Sequence, residues 1–147
     1  MKLKVYNKMK IKIAVYWAST VLFSVLMGLA GVACLGHLPK VDAAFRLLGY
    51  PAYFQNFLGL AKILGAIALL VPRFPLLKEW AYAGFTFTCI GAFVSHLAAS
   101  QGHEAIVPVI AFALLCVSYL FRPVPRRLEG ALHVSEMHSG ARWHAHA

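Results

Sequence analysis

Lys62 and His96 stand in stretches of this chain that ordinarily exclude charge. Lys62 lies near the middle of an otherwise uncharged apolar run, Tyr50–Val71, with about ten residues on either side. A lysine at the centre of a membrane helix costs roughly 2.5–3.5 kcal/mol on insertion scales. Snorkelling to the headgroups works best near helix ends, so the side chain is expected to face a bundle interior, a polar cavity or a bound group. The acids are Asp42, Glu79, Glu104, Glu129 and Glu136, and none falls inside an apolar run. Candidate partners for Lys62 are therefore Gln55, Thr20, Ser24, Thr86, Thr88, Ser95 and His96, or an anion, a lipid headgroup or water. Two readings follow, a ligand or ion site and a hydrogen-bonding structural lysine.

His96 follows Ser95 about one turn before the end of a second run, Trp80–Ser100. An imidazole there can hold a polar headgroup or a quinone carbonyl, or relay a proton; it can equally be a satisfied interfacial residue. One intramembrane histidine does not supply the paired axial ligands of a diheme bundle. His37 and His103 flank the same side, but no metal site is assigned to them. Cys34, Cys89 and Cys116 are far apart in sequence, with no C-x-x-C spacing, and read as small apolar residues. His133, His138, His144 and His146 belong to a polar C-terminal stretch expected to be disordered. No phosphate-binding loop, G-x-S-x-G or H-E-x-x-H motif occurs, and no catalytic residue is assigned.

The elements that must position these residues are membrane helices. Of 147 residues, 61% are hydrophobic and 13% charged, against roughly 25% charged in soluble domains, and the mean hydropathy is +0.70. Disorder and a disulfide-stapled secreted miniprotein are excluded by this composition. A helix crosses the hydrocarbon core with about 20 apolar residues. Four runs approach that length, 13–35, 50–71, 80–100 and 105–121, the last being short and able to extend outward through Gln101–Glu104. The first is too long for the apolar core of a cleaved leader. The fold class expected is all-α, an integral membrane four-helix bundle, in one domain over 13–122. A basic tail, 1–12, precedes it and a polar tail, 123–147, follows.

The net charge of +9 fits this reading without nucleic acid. Lys2, Lys4, Lys8, Lys10 and Lys12 precede the first run, Arg73 and Lys78 lie in the Pro72–Glu79 turn, and Arg122, Arg126, Arg127 and Arg142 follow the last. The opposite side holds Lys40 and Arg46. Cytoplasmic loops carry the basic excess, which puts both termini in the cytoplasm. The Gly36–Gly49 loop holds Val41, Ala44, Phe45, Leu47 and Leu48 between polar positions, as a short amphipathic helix on the outer surface would. Membrane helices associate through small residues and buried polar contacts. Gly28, Gly31, Gly59, Gly65, Gly84 and Gly91 are the expected packing positions. Gln55, Gly59, Lys62 and Ala66 share one helical face, and Pro108 is expected to loosen the start of the fourth helix.

Four strings carry a resemblance: 48–54 (LGYPAYF), 58–65 (LGLAKILG), 69–75 (LLVPRFP) and 77–85 (LKEWAYAGF), followed by Gly91-Ala92 and Ser95-His96. Together they resemble the DoxX-like family over about Tyr16 to Arg122. The resemblance implies a small four-helix protein of the bacterial inner membrane whose biochemical activity is largely unassigned. The motif positions that carry over are Gly59, Lys62, Gly65, Glu79, Trp80, Gly91, Ser95 and His96, none with an established catalytic role. Links to quinone and redox metabolism are implied for some branches of the wider group. Related sequences often carry Asp or Asn where this chain has Thr88, and that departure removes a carboxylate partner for Lys62.

The expected site is an inward polar cluster of Lys62, Gln55, Thr88, Ser95 and His96. The first functional reading is an accessory that binds a small amphiphile, such as a quinone, an aromatic compound or a lipid, in redox or stress physiology. The second is a transporter or permease component with Lys62 as its anion site. The third, an enzyme acting on quinones, finds no redox-cofactor motif or thiol pair in support. The expected partners are the lipid bilayer, a redox protein and a second copy of the chain.

Overall fold

The first apolar run and the lysine-rich stretch before it hold no proline, and lysine is itself a good helix former. The computed structural model describes residues 2–72 and 74–126, with the side chains of 2–5 and 125 outside that description. In it one helix, α1, runs unbroken through Lys2–Leu35. The expected boundary at residue 12 is a change of composition and not of conformation: Lys10 sits over the Tyr6 ring, one turn back, at 4.6 Å. At 1.5 Å per residue the helix is about 51 Å long. The chain then turns at Gly36 and His37, whose φ of 48° is left-handed. Pro39 opens α2, Pro39–Leu47, because a proline in the first turn needs no hydrogen-bond partner. This is the short amphipathic helix the loop spacing predicts, and none of its residues is fully buried.

Helix α3 spans Ala52–Leu70 and ends before Pro72. Helix α4 spans Pro75–Ala98, so it begins five residues before the expected start. Pro75 takes its first turn, and Lys78 and Glu79 stand on the helix and not in a connecting turn. Helix α5 spans Ile106–Leu120. Gln101–Glu104 forms turns and does not extend it, and Pro108 falls within its first turn, where proline is tolerated. A single 3₁₀ turn, Val124–Arg126, follows. No strand occurs among the described residues.

The described chain is thus all-helical, with five helices, of which α1, α3 and α4 are long and apolar enough to cross a membrane. Helices α1 and α4 each pack against both α3 and α5. The shared core is Phe23, Met27, Leu69, Tyr82, Phe85, Cys89, Ala111 and Leu115, with Phe23 and Phe85 edge to face at 4.9 Å. The closest helix approach is built on glycine. A Cβ on Gly31 would lie 2.8 Å from the Gly59 carbonyl oxygen, and one on Gly59 would lie 2.9 Å from Cys34 Cβ. A Cβ on Gly65 would meet the Phe85 ring at 2.8 Å. Gly28, Gly84 and Gly91 meet no neighbour within 4 Å, so within this chain they do not set helix approach.

Candidate functional site

One end of the helix assembly is covered by α2, and there a partly open cavity of about 380 Å³ lies between α2, α3 and α4. Its α3 wall is Phe54, Leu58 and Lys62, successive i, i+4 positions on one stripe. Its α4 wall includes Phe87, Thr88, Gly91, Ala92, Ser95 and His96, and Ala44 and Phe45 of α2 with Leu48 just after it form the roof. Tyr50 lies between roof and wall, stacked on Phe54 at 4.8 Å, with its hydroxyl 2.7 Å from Ser95 Oγ. The cavity is therefore largely apolar and aromatic, with the Lys62 amine on its α3 wall and hydroxyl and imidazole groups on the walls nearer α2.

Four of the five expected site residues, Lys62, Thr88, Ser95 and His96, line this one space. Thr88 also donates to the Gly84 carbonyl at 2.8 Å and Ser95 to Gly91 at 2.8 Å, while His96 Nδ1 lies 3.1 Å from Gln101 Oε1. Lys62 is half-buried and makes no hydrogen bond or ion pair with any described residue. Of the remaining expected partners, Thr20 bonds Tyr16 and Ser118 and Thr86 bonds Tyr82, while Ser24 is buried with no hydrogen-bond partner among the described residues.

Gln55 is the exception. It is 2% exposed and turned toward α1 and α2, away from the cavity. Its Nε2 donates to the Cys34 carbonyl at 3.0 Å and to Asp42 Oδ1 at 2.7 Å. The i, i+4 stripe that holds Gln55, Gly59 and Ala66 is the α1-packing face, and Lys62 sits at its flank. Asp42 Oδ1 also meets His37 Nδ1 at 3.1 Å. The hydrogen bond from Gln55, then those of His37 and the charges of His37 and Arg46, hold the Asp42 carboxyl below its ordinary value against the opposing effect of desolvation. This cluster pins α2 to the ends of α1 and α3, so Gln55 supports the cavity roof.

The opposite end carries a polar network that sequence reasoning missed. Lys78 is 1% and Arg122 4% exposed. Lys78 Nζ donates to the carbonyls of Ala68, at 2.9 Å, and Val71, closing the C-terminal end of α3 where helix carbonyls lack partners. Arg122 pairs with Glu79 and lies over the rings of Tyr82 and Tyr119 at 5.3 and 4.9 Å. Arg126 lies over Trp17 at 4.4 Å and bonds the Tyr16 hydroxyl at 2.9 Å. Deeper in, Ser118 Oγ meets Thr20 Oγ1 at 2.6 Å and the Tyr82 hydroxyl at 2.7 Å. A second cavity, about 370 Å³ between α4 and α5, borders this network, but the carboxylate that lines it, Glu79, is already paired with Arg122. Lys78 and Arg122 flank apolar runs, and a count of loop charge treats such residues as surface.

Cys34, Cys89 and Cys116 are free thiols, the first two buried. No group of three or more His, Cys, Asp or Glu residues among the described residues could hold a metal ion. The tail histidines His133, His138, His144 and His146 lie outside the described residues. The DoxX-like family model matches residues 18–118, which include every residue lining the α2-end cavity. No curated protein matches, and no solved structure matches.

Proposed function

This chain belongs to the DoxX-like family, and on that premise we propose that it binds a small amphiphile in the α2-end cavity as an accessory in redox or stress physiology. The observation that carries the reading is Lys62. A half-buried lysine without a described partner lines an apolar, aromatic-walled space, the arrangement of few polar groups in a largely apolar pocket that small-molecule sites share. A quinone, an aromatic compound or a lipid each offers an oxygen for Lys62 and an apolar body for Phe54, Leu58 and Phe87.

In this reading α1, α3, α4 and α5 all cross the bacterial inner membrane, within one domain over 13–122. The 15 residues of α5, about 22 Å, call for local thinning of the bilayer. Both termini lie in the cytoplasm, as the basic residues at the terminus-bearing end favour. A redox protein and a second copy of the chain are the proposed protein partners, the latter through the open faces around Gly28, Gly84 and Gly91. Transport, with Lys62 as anion site, needs a route through the opposite end. The filling of that end by Tyr16, Thr20, Tyr82 and Ser118 supports binding over transport.

Native mass spectrometry of the chain released from its own membrane, wild type beside Lys62→Met, tests the reading. Expected is a defined small ligand on the wild type that the variant lacks. Two empty proteins, or two carrying the same bulk lipids, would contradict it.

A further inference from the structure

We infer that the ligand of the α2-end cavity is a singly charged amphiphilic anion, a carboxylate or phenolate on a flat apolar body, held with its charged group at Lys62. The inference rests on the binding reading above and narrows its chemistry. Three observations carry it.

The first is charge balance. Asp42 is held by Gln55 and His37, Glu79 by Arg122, and Glu104 lies beside His103 at 3.4 Å. None of these carboxylates lines the cavity. Among the described residues Lys62 thus has no counter-charge, although it stands at the depth where an ammonium is least tolerated. A neutral ligand gives that ammonium a dipole; an anion gives it a counter-charge. A hydrogen bond from an ammonium is charge-assisted with either ligand, and the anion adds the attraction of a full opposite charge.

The second is the number of charges. Among the described residues Lys62 is the one lysine or arginine that lines the cavity, and the other titratable side chains there, Tyr50 and His96, already meet Ser95 and Gln101. A dianionic phosphate monoester would bring a second negative charge with no second cation to meet it. A singly charged group matches the lining.

The third is shape. From Phe54 to Lys62 the α3 wall rises about 12 Å along the helix, with Leu58 between them. Phe45 stands 6.0 Å from the Tyr50 ring and Tyr50 stacks on Phe54. Flat rings fit beside such an aromatic wall through offset or edge contacts.

The test compares 2-naphthoate with 2-naphthamide, which share an apolar body and differ in charge. Binding is measured on the full chain in lipid nanodiscs, with protein-free nanodiscs subtracted. Wild type is expected to bind the naphthoate at least about tenfold more tightly than the amide. The preference should vanish in Lys62→Met and persist in Lys62→Arg, both checked for an unchanged unfolding temperature. Ala92→Phe, which fills the cavity from α4, should abolish both ligands. Equal or tighter binding of the amide by wild type, lost in Ala92→Phe, would overturn the anion inference and leave the cavity reading standing. Binding of neither probe up to millimolar concentration, or binding that survives Ala92→Phe, would overturn both.

Discussion

Two lysines sixteen positions apart have opposite surroundings. Lys78 is enclosed, with its ammonium on the carbonyls of Ala68 and Val71. Lys62 is half-buried on the wall of the α2-end cavity and touches no described acceptor. The ends of the molecule to which they belong differ in the same way. At the terminus-bearing end Arg122, Arg126, Lys78 and Glu79 are locked among tyrosines, a tryptophan and helix-end carbonyls. At the α2 end the polar groups divide into a satisfied latch, Gln55–Asp42–His37, and a cavity whose one lysine or arginine is unmatched. A buried charge that is paired and hydrogen-bonded serves the fold. A charge left beside a cavity is where a ligand can contribute what the chain does not.

That contrast can be broken most forcefully at Arg122. Arg122→Met strands Glu79, and breaking a buried pair costs about 3–5 kcal/mol. The loss should fall near the lower figure because Glu79 is 28% exposed. Reversible unfolding in detergent should register it while ligand binding by the folded fraction stays unchanged. A fall in affinity without a fall in stability would reverse the roles given to the two ends.

Next in size is the α1–α3 contact. Gly31→Leu drives a side chain into the Gly59 carbonyl and Ile63, an overpacking that costs about 1–3 kcal/mol. Gly84→Ala meets nothing within 4 Å and should gain up to about 1 kcal/mol from helix propensity. Comparable losses at the two glycines would show that Gly84 packs against something other than this chain, such as a second copy. Tyr82→Phe removes one hydrogen bond to Ser118 and should cost about 1 kcal/mol, read in the same unfolding assay; no change would mean that the Ser118–Thr20 pair suffices alone.

The smallest effect is local and depends on pH. Because the Asp42 carboxyl is held below its ordinary value, chiefly by Gln55, its contribution is complete above about pH 4. It is lost as pH falls through the lowered value. Amide exchange in α2, corrected for intrinsic rates, should therefore accelerate as the pH falls below about 4, and Asp42→Asn should remove that dependence. The same profile in both proteins would show that the latch does not hold α2.

Much of the helical framework was legible in the residues. The long apolar runs mark α1, α3 and α4, and the apolar positions Val41, Ala44, Phe45 and Leu48 at helical spacing mark α2. The gathering of Lys62, Thr88, Ser95 and His96 follows from facing stripes on two antiparallel helices. Gln55 was misplaced because its partner arrives by tertiary structure: the left-handed turn at His37 brings Asp42 back onto α3. The aromatic wall of Tyr50 and Phe54 is set by tertiary contacts, the stacking of the two rings and the hydrogen bond from Tyr50 to Ser95. Lys78, Arg122 and Arg126 read as cytoplasmic surface because charge counts carry no information about which helix-end carbonyls they will meet.

The most direct measurement sets the two lysines side by side: Lys62→Met and Lys78→Met, each examined for unfolding temperature and for 2-naphthoate binding in nanodiscs. Expected are a Lys62→Met protein with the unfolding temperature of wild type that binds the naphthoate at least about tenfold more weakly and a Lys78→Met protein that binds normally but unfolds earlier. The reverse pattern, stability lost at Lys62 and binding lost at Lys78, would contradict the division of labour between the two ends.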